Sequence, residues 1–402
     1  MLDTVKLMID HGCYKITKPD LFNPSTKLLD LRPYQRVSKN GDLHCAYYPS
    51  EKSYRNGTHG EYLPKVSVHR MLVGKDNFTT FLKLEFSAPK LLFGNNFQEL
   101  VDSDFPDLIN ALHRKLQFMG IEIDKLWLET AKVMTVHFAK NLVITEYGSC
   151  LYLLNAIYKA DVTKTLDVAK TDYRNNGSIV RFHSNTSELC FYDKMKDLET
   201  SQKVGEARCL ENNNFLQRDM LEKYKDQEVL RMEFRLNAPQ KLTAICNKVD
   251  NGTMQYYFFH EIFSQSLSRK VCIYYWEIIR KGMKYLVLQD SSIDKIMEFL
   301  MENKKWETGK FLSTLGALYL ANDKGIRFLR EKSLKKYNEI KNIFKNTSQF
   351  NNGYLMKTGA KIAKALDEFA PLRDGEFEPY KYRSKFDLPI DVNTMKIPGL
   401  FL

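Results

Sequence analysis

The sequence lacks the features of an exported, membrane-spanning or nucleotide-hydrolysing protein. It contains no run of about 18 apolar residues, and its first residues show no basic segment followed by an apolar core. Neither the phosphate-binding pattern GxxxxGK(S/T) nor a GxGxxG turn between a strand and a helix occurs. We therefore expect a cytoplasmic protein that has no transmembrane helix and does not bind nucleotides through a P-loop.

Cysteine is sparse and carries no pattern. The seven cysteines are odd in number, scattered along the chain and never in CxxC spacing. This excludes a disulfide framework and a zinc ribbon, both of which need cysteines at short, regular spacing. We expect ordinary buried thiols in a reducing compartment.

The composition indicates a folded, basic protein. With 402 residues, 44% of them hydrophobic, the chain is long enough for two or three domains with buried cores. Lys and Arg number 60 against 49 Asp and Glu, a net charge of +11. Such an excess favours a polyanionic partner, either nucleic acid or an acidic membrane surface. We expect no membrane binding, because no segment has the apolar and basic faces of an interfacial helix.

Hydrophobic periodicity predicts an α+β fold. Alternation over 81–86, 133–138 and 229–236 is typical of strands with one buried face, and 179–183 with 189–194 predicts a hairpin. Further strands are expected over 4–17 and 65–73, and helices over 97–118 and 151–158. This order predicts a mixed or antiparallel sheet with flanking helices, and not a doubly wound parallel sheet.

After about residue 255 the pattern becomes helical and more basic. Helices are expected over 256–268, 290–303, 308–320, 324–331 and 333–346. Residues 302–364 hold fourteen Lys or Arg against five Asp or Glu. We predict a sheet-based catalytic domain over 1–250, a basic helical DNA-binding region over 255–350 and an irregular, proline-containing tail over 351–402.

The polar residues of the strands give a candidate site. Strand alternation places Glu85, His137 and Glu233 on one sheet face, with Tyr192 and Lys194 nearby. Two carboxylates and an imidazole suit Mg²⁺ or Mn²⁺. The alternative is a solvated face with cross-strand ion pairs, in which His137 is structural. Tyr192 is one of 22 tyrosines and is not singled out by pattern alone.

Three segments resemble one protein family. Glu85-Phe-Ser-Ala-Pro-Lys-Leu-Leu-Phe-Gly-Asn-Asn96 is similar to a segment of filamentous-phage gene II replication initiators. Phe191-Tyr-Asp-Lys194 resembles their Tyr-x-Lys strand and a matching strand of Gram-positive rolling-circle plasmid initiators. Leu230-Arg-Met-Glu-Phe-Arg235 resembles the acidic strand that follows in both groups. The order and approximate spacing of the segments agree across residues 80–240.

The resemblance implies a function and a set of roles. It implies an initiator that nicks one strand of origin DNA, with Tyr192 as nucleophile and Lys194 as its neighbouring cation. Glu85 and Glu233 correspond to acidic metal positions, and His137 stands where the relatives usually carry an acid. The implied partners are supercoiled and single-stranded origin DNA, a host helicase and a host polymerase, in the cytoplasm of a bacterial host. Residues expected to contact DNA, from the resemblance or from their charge, are Lys90, Asn96, Lys140, Arg231, Arg235, Arg327, Arg330 and Lys335.

Two other functions remain open from the sequence. A non-catalytic copy-control protein would bind origin DNA without nicking it. A hydrolytic nuclease would use Glu85, Lys90 and metal-bound water, and would cleave DNA without forming a protein–DNA adduct.

Overall fold

The structure is a computed structural model built around one large antiparallel sheet. It describes residues 1–19, 22–23, 36–37, 43–49, 62–73, 77–146, 148–162, 166, 168, 170–199, 222–283, 286, 293–303, 307–343 and 354–373. The strands are β1 (Leu2–Asp10), β2 (Tyr14–Ile16), β3 (Phe22–Asn23), β4 (Arg36–Val37), β5 (Leu43–Pro49), β6 (Lys65–Val73), β7 (Asn77–Ser87), β8 (Ile121–Ile123), β9 (Lys132–Val143), β10 (Lys170–Arg174), β11 (Ile179–His183), β12 (Ser187–Asp193) and β13 (Val229–Leu236).

The helices lie between the strands and then follow them. They are α1 (Ala88–Phe93), α2 (Phe105–Phe118), α3 (Lys125–Glu129), α4 (Cys150–Lys159), α5 (Pro239–Asp250), α6 (Phe259–Ile262), α7 (Gln265–Met283), α8 (Ile293–Asn303), α9 (Thr308–Lys324), α10 (Ile326–Lys332), α11 (Leu334–Ile343) and α12 (Tyr354–Glu368), with a 3₁₀ turn at Asp102–Asp104. Three of them, α1, α2 and α5, have proline in the first turn, where its missing N–H costs no helical hydrogen bond. The predicted α+β class, with an antiparallel sheet and a helical C-terminal region, is confirmed.

The main sheet has the strand order β10-β11-β12-β13-β9-β1-β7-β6-β5-β3, with β4 paired to β5; β2 and β8 form a separate pair. All pairings in the order β10 to β5 are antiparallel. The long alternating segments of the sequence form the central strands, as predicted. Alternation therefore gives this sheet one apolar face and one polar face.

The apolar face of the sheet is buried under helices. Phe138, Phe191 and Phe234 on this face are fully buried, and the Phe234 ring stacks on Tyr275 of α7 at 5.1 Å between centroids. Residues of α4, α5, α7 and α12 belong to the same hydrophobic core as the strands. The predicted domain boundary near residue 255 therefore does not coincide with a break in the core, since α7 completes the core of the sheet.

A second, smaller core lies in the following helices. Ile296, Leu318, Leu329, Tyr337 and Ile340 form its centre, and it draws on α8 to α11. Polar contacts join this helical unit to the sheet domain. In one of them, the Tyr337 hydroxyl donates a hydrogen bond to Asp161 Oδ2 at 2.7 Å.

The predicted irregular tail begins with a helix. Residues Tyr354–Glu368 form α12, and Ile362 and Leu366, four residues apart, are buried against the main core. The prediction of irregular structure from 351 was wrong for this stretch, because the later prolines hid the helical spacing of its apolar residues. Among the described residues, no helix is both long and apolar enough to cross a membrane.

Candidate active site

Three cross-strand rows of polar residues form the site. They lie where β12, β13 and β9 run side by side, and each row crosses the three strands in register. The rows are Tyr192–Arg231–Asn141, Cys190–Glu233–Ala139 and Glu188–Arg235–His137. Residues directly opposite each other on neighbouring strands share a face. The rows therefore all belong to the polar face of the sheet.

Glu233 is the centre of this cluster. Its Oε1 accepts a hydrogen bond from Arg235 Nε at 2.9 Å and lies 3.1 Å from His137 Nδ1. Its Oε2 accepts a hydrogen bond from the Tyr192 hydroxyl at 3.3 Å. Burial by itself raises the pKa of the Glu233 carboxyl, but His137, Arg235 and Arg231 together outweigh it and hold the pKa well below its usual range. The side chain is therefore a buried carboxylate.

The Tyr192 hydroxyl is buried and protonated. Burial raises its pKa well above the ordinary value, and the Glu233 carboxylate raises it further, against the opposing effect of Arg231. Because an ionised carboxylate only accepts hydrogen bonds, the phenol O–H is held towards Glu233. Ionisation of Tyr192 thus needs additional positive charge at its oxygen.

The chain reverses direction directly after Tyr192 and positions Lys194. Asp193 Oδ1 accepts the backbone N–H groups of Met195 and Lys196 at 3.1 and 3.2 Å, which caps the helical turn over residues 194–199. Lys194 Nζ, fully buried, donates to Asn96 Oδ1 at 3.0 Å and pairs with Asp197 at 2.8 Å. It also lies 5.7 Å from the centre of the Tyr192 ring.

The Gly94-Asn95-Asn96 segment lies beside the site and contacts Lys194 and Arg231 through Asn96. Gly94 ends α1 with a left-handed φ of 72°, a conformation that glycine adopts without a Cβ penalty. Asn95 Oδ1 then accepts the N–H groups of Phe97 and Gln98 at 3.0 Å each, which closes a tight turn. This turn directs the Asn96 side chain to Lys194. It also explains why the helix predicted from residue 97 begins only at Phe105.

Arg231 and Asn96 hold the site together and were predicted as DNA contacts. Arg231 is 2% exposed, donates to the Asn96 carbonyl at 2.9 Å and to Asn141 Oδ1 at 3.1 Å, and pairs with Asp3 at 2.8 Å. A guanidinium enclosed by these groups has no surface to offer a phosphate. These contacts give Arg231 a structural role in the site, and the Asn96 amide oxygen is already used by Lys194.

Lys140 is also buried and is not a surface cation. It pairs with Glu99 and donates to the Ala370 carbonyl at 2.7 Å. The Glu99 carboxylate in turn accepts the backbone N–H of Leu372 at 2.9 Å and that of Asn141 at 2.5 Å. The sequence did not indicate a role for Glu99 or for the segment 369–373. Glu99 and Lys140 are 41 positions apart in the chain, and Lys140 and Ala370 are 230 positions apart.

Glu85 lies on the predicted face but outside the cluster. It is opposite Lys6 on β1 and forms an ion pair with it at 3.0 Å. The order β7-β1-β9-β13 separates Glu85 from Glu233 by three strand spacings, about 14 Å at about 4.8 Å each. The prediction that both carboxylates bind one cation is therefore wrong. His137 and Glu233 are adjacent, as predicted.

The predicted basic contacts divide into buried and exposed residues. Arg327 was expected to bind DNA, but it donates to the Tyr158 carbonyl at 2.6 Å and to Thr171 Oγ1 at 2.5 Å and lies over the Phe182 ring. These contacts tie α10 to the sheet domain. Arg330 and Lys335 are exposed, and Lys90 is half-buried on α1. Arg235 is 24% exposed and pairs with both Glu233 and Glu188.

A second group of metal-ligating atoms lies on the other side of β12. One ligand atom each of Cys150, Asp193 and Glu228 lie within 4.8 Å of one another. Both acids already have structural roles, however. Asp193 caps the turn after β12, and Glu228 Oε2 accepts the N–H of Cys150 at the start of α4 at 2.8 Å. The three ligand atoms are therefore close together because two helix N-termini, each capped by one of these acids, lie side by side.

Comparison with known proteins gives one match. Residues 1–250 match the family described as the N-terminal part of the phage gene II replication-associated protein. No curated protein and no solved structure matches the chain significantly. The matched range includes every strand of the main sheet and all three cross-strand rows.

Proposed function

The chain belongs to the family of the phage gene II replication-associated protein, a rolling-circle replication initiator, and on this basis we propose that it nicks origin DNA through Tyr192. The observation that supports this proposal is the buried hydrogen bond from the Tyr192 hydroxyl to the Glu233 carboxylate, with Lys194 beside the ring. A tyrosine kept only for packing would not need an ionised acceptor, a buried arginine and a lysine around it.

The reaction is a transesterification that balances without a further reactant. The Tyr192 oxygen attacks the scissile phosphorus, a new phosphotyrosyl bond forms to the 5′ side, and the bond to the 3′ oxygen breaks. Glu233 orients the phenol, whose proton passes to solvent as the new bond forms, and the departing 3′ oxygen takes up one proton from solvent and becomes the hydroxyl that primes synthesis. The reverse reaction later joins the strand ends.

A divalent cation, Mg²⁺ or Mn²⁺, is part of the proposal. His137 and Glu233 would hold it, since their ligand atoms already lie 3.1 Å apart, and Mg²⁺ is commonly bound by one or two protein ligands plus water and substrate phosphate. When bound, the ion supplies positive charge that favours the phenolate and neutralises the scissile phosphate. Arg235 has Glu188 as a second partner at 3.2 Å, so it keeps one ion pair when it releases Glu233.

Arg235 and the exposed cations of the neighbouring strands provide a surface for the DNA strand. Lys170 and Arg174 on β10 have side chains that are 63% and 57% exposed, and Arg181 on β11 is 32% exposed. Arg181 shares the polar face with Tyr192, because its partner in register is Cys190. We place the scissile strand along this face, with Arg330 and Lys335 as contacts for flanking DNA. Origin DNA, supercoiled or single-stranded, is the proposed partner, followed by a host helicase and polymerase in the bacterial cytoplasm.

Incubation with supercoiled origin DNA and Mn²⁺, followed by denaturing electrophoresis, tests the proposal. The chain should yield nicked DNA and a covalent adduct, and Tyr192→Phe should abolish both while origin binding is retained. Tyr173→Phe is the matched control, because Tyr173 is 39% exposed and stacks on Tyr158 away from Glu233. Tyr147, another tyrosine that could serve as nucleophile, lies outside the described residues.

Each other outcome of this experiment has a definite meaning. An adduct that persists in Tyr192→Phe contradicts the assignment of the nucleophile. A nick without an adduct indicates a hydrolytic nuclease, and origin binding without a nick indicates a copy-control protein.

A further inference from the structure

Helix α9 is apolar on two opposite faces. Its inner face places Ala317, Leu318 and Ala321 in the second core. Its outer face exposes Leu312, Tyr319 and Leu320 to 59%, 51% and 46%. Three large apolar side chains within three turns of one helix differ from the scattered exposed residues that are normal on a protein surface. A helix that is apolar on all faces is usually buried on all faces. We therefore expect the outer face of α9 to be buried by another element.

Two glycines lie on the same outer face. Gly309 and Gly316 are seven residues apart, which places them on one line along the helix. A Cβ at either position would meet nothing within 4 Å. No neighbour among the described residues therefore requires glycine there, although glycine destabilises a helix interior relative to alanine. Glycine on this line instead allows the backbone of another element to approach closely.

We propose that the outer face of α9 is the contact between two copies of this chain, with the two α9 helices antiparallel about a two-fold axis at Gly316. Gly316 is the midpoint of Thr308–Lys324. A two-fold axis there places Leu312 opposite Leu320 of the second copy, and Tyr319 opposite its Ser313. Each large side chain meets a residue on the same outer face, and each contact occurs twice, as a symmetric interface requires.

The charges on this face complement each other under the same symmetry. Asp323, which pairs with Lys324 at 3.0 Å in an exposed ion pair, continues the line of Gly309 and Gly316, so it falls opposite Gly309 in the first turn of the second helix. No side chain caps that turn, since Glu307 is the N-cap residue and makes no side-chain cap hydrogen bond. The N-terminus of a helix carries partial positive charge and exposed N–H groups, and a carboxylate there is favourable. The fit of the face to itself selects a second copy over an unrelated partner.

The oligomeric state of the full chain in solution tests the proposal. Sedimentation velocity over a range of concentrations should show a reversible dimer of the unmodified chain. Gly316→Glu places two carboxylates together at the axis and should weaken dimerisation by about tenfold or more. The substitution fills open space and replaces glycine with a better helix former, so the fold should be retained. Asn338→Glu on α11 is the matched control, because it adds the same charge at an exposed position of the same helical unit.

A mixing experiment tests the symmetry itself. Gly316→Glu and Gly316→Lys should each dimerise more weakly than the unmodified chain, and an equimolar mixture should recover dimerisation, since the axis places residue 316 opposite its own copy. A wild-type chain that remains monomeric throughout overturns the proposal and leaves the face to a different protein. Unchanged dimerisation of Gly316→Glu, or no recovery in the mixture, overturns the placement of the axis.

Discussion

The Tyr192 hydroxyl and Glu233 Oε2 lie 3.3 Å apart on neighbouring strands, β12 and β13. The two residues are not directly opposite each other, since Tyr192 pairs in register with Arg231 and Glu233 with Cys190. The phenol therefore reaches diagonally across the sheet, which a long aromatic side chain can do. This diagonal contact brings the nucleophile proposed for nicking to the carboxylate that also contacts His137 and Arg235.

Glu233→Gln should impair both nicking and stability. The neutral amide keeps the shape but orients the phenol O–H more weakly and no longer offers a charged ligand to a cation, so single-turnover nicking should fall by about 10²-fold. The buried Arg231 loses a nearby negative charge, and breaking a buried ion pair costs about 3–5 kcal/mol, measurable by urea unfolding. Glu188→Gln is the control, because Glu188 also pairs with Arg235 but no contact joins it to Tyr192. Equal nicking rates for the two variants would contradict the role of Glu233.

Substitution at His137 and at Glu85 should separate the two possible cation sites. His137→Phe should weaken Mn²⁺ binding, measured by calorimetry, by about tenfold or more, because the side chain adjacent to Glu233 is lost. Glu85→Gln should leave Mn²⁺ affinity unchanged, since Glu85 pairs with Lys6 three strands away. A loss of affinity in Glu85→Gln as large as that in His137→Phe would support the ligand set expected from the sequence.

The error about Glu85 shows what strand alternation can and cannot predict. Alternation correctly placed Glu85, His137 and Glu233 on one face, because the side-chain period of a strand is two. It could not predict that β1 and β9 would lie between β7 and β13. Strand order depends on long-range pairing, and no local pattern in the sequence encodes it. The fold class and the faces of the strands were therefore predictable, but the distances within the site were not.

The burial of basic residues was equally hidden from the sequence. Lys140, Arg231 and Arg327 were expected at a DNA surface because they are cationic. Their partners are distant in the chain, as in the pairing of Arg231 with Asp3 and of Arg327 with Thr171. A basic residue indicates a polyanion only when its charge reaches solvent, and a single sequence does not show which cations do so.

Glu99→Gln should destabilise the protein in a pH-dependent way. Burial by itself raises the pKa of Glu99, but Lys140, the Met1 amino group and the hydrogen bond from Asn141 outweigh it, so the folded-state pKa is lowered from 4.5. A lowered pKa stabilises the fold above the unfolded pKa, and this stabilisation is lost as the pH falls towards the folded pKa. At pH 7 the variant should be less stable by about 3–5 kcal/mol, as for a broken buried pair.

Urea unfolding of the wild type and Glu99→Gln at several pH values provides the measurement. The difference between them should be constant above about pH 5.5, roughly one unit above the unfolded pKa, and should shrink as the pH falls below it. Asp107→Asn is a control, since Asp107 is exposed on α2. A difference that grows on acidification would mean that the folded state raises the pKa of Glu99.

Arg327 and the pair Arg330 and Lys335 should differ in how they affect DNA binding. Arg330 and Lys335 are exposed on α10 and α11, whereas Arg327 is bonded to Tyr158 and Thr171. Each phosphate contact contributes about 0.9 to the slope of log affinity against log salt concentration. The double substitution Arg330→Ala with Lys335→Ala should therefore reduce the slope by up to about 1.8 for two contacts, and should weaken binding to unrelated sequences alike.

Arg327→Ala should instead leave the salt slope unchanged and lower the unfolding temperature. Removal of its guanidinium leaves the Tyr158 carbonyl without this donor and removes a side chain that packs over Phe182. The loss should fall on the attachment of the helical unit to the sheet domain, because Arg327 connects the two. Origin-DNA titrations at four salt concentrations, with thermal unfolding of the same samples, distinguish the two roles. A reduced slope in Arg327→Ala, with unchanged stability, would return Arg327 to the DNA surface and contradict its position in the fold.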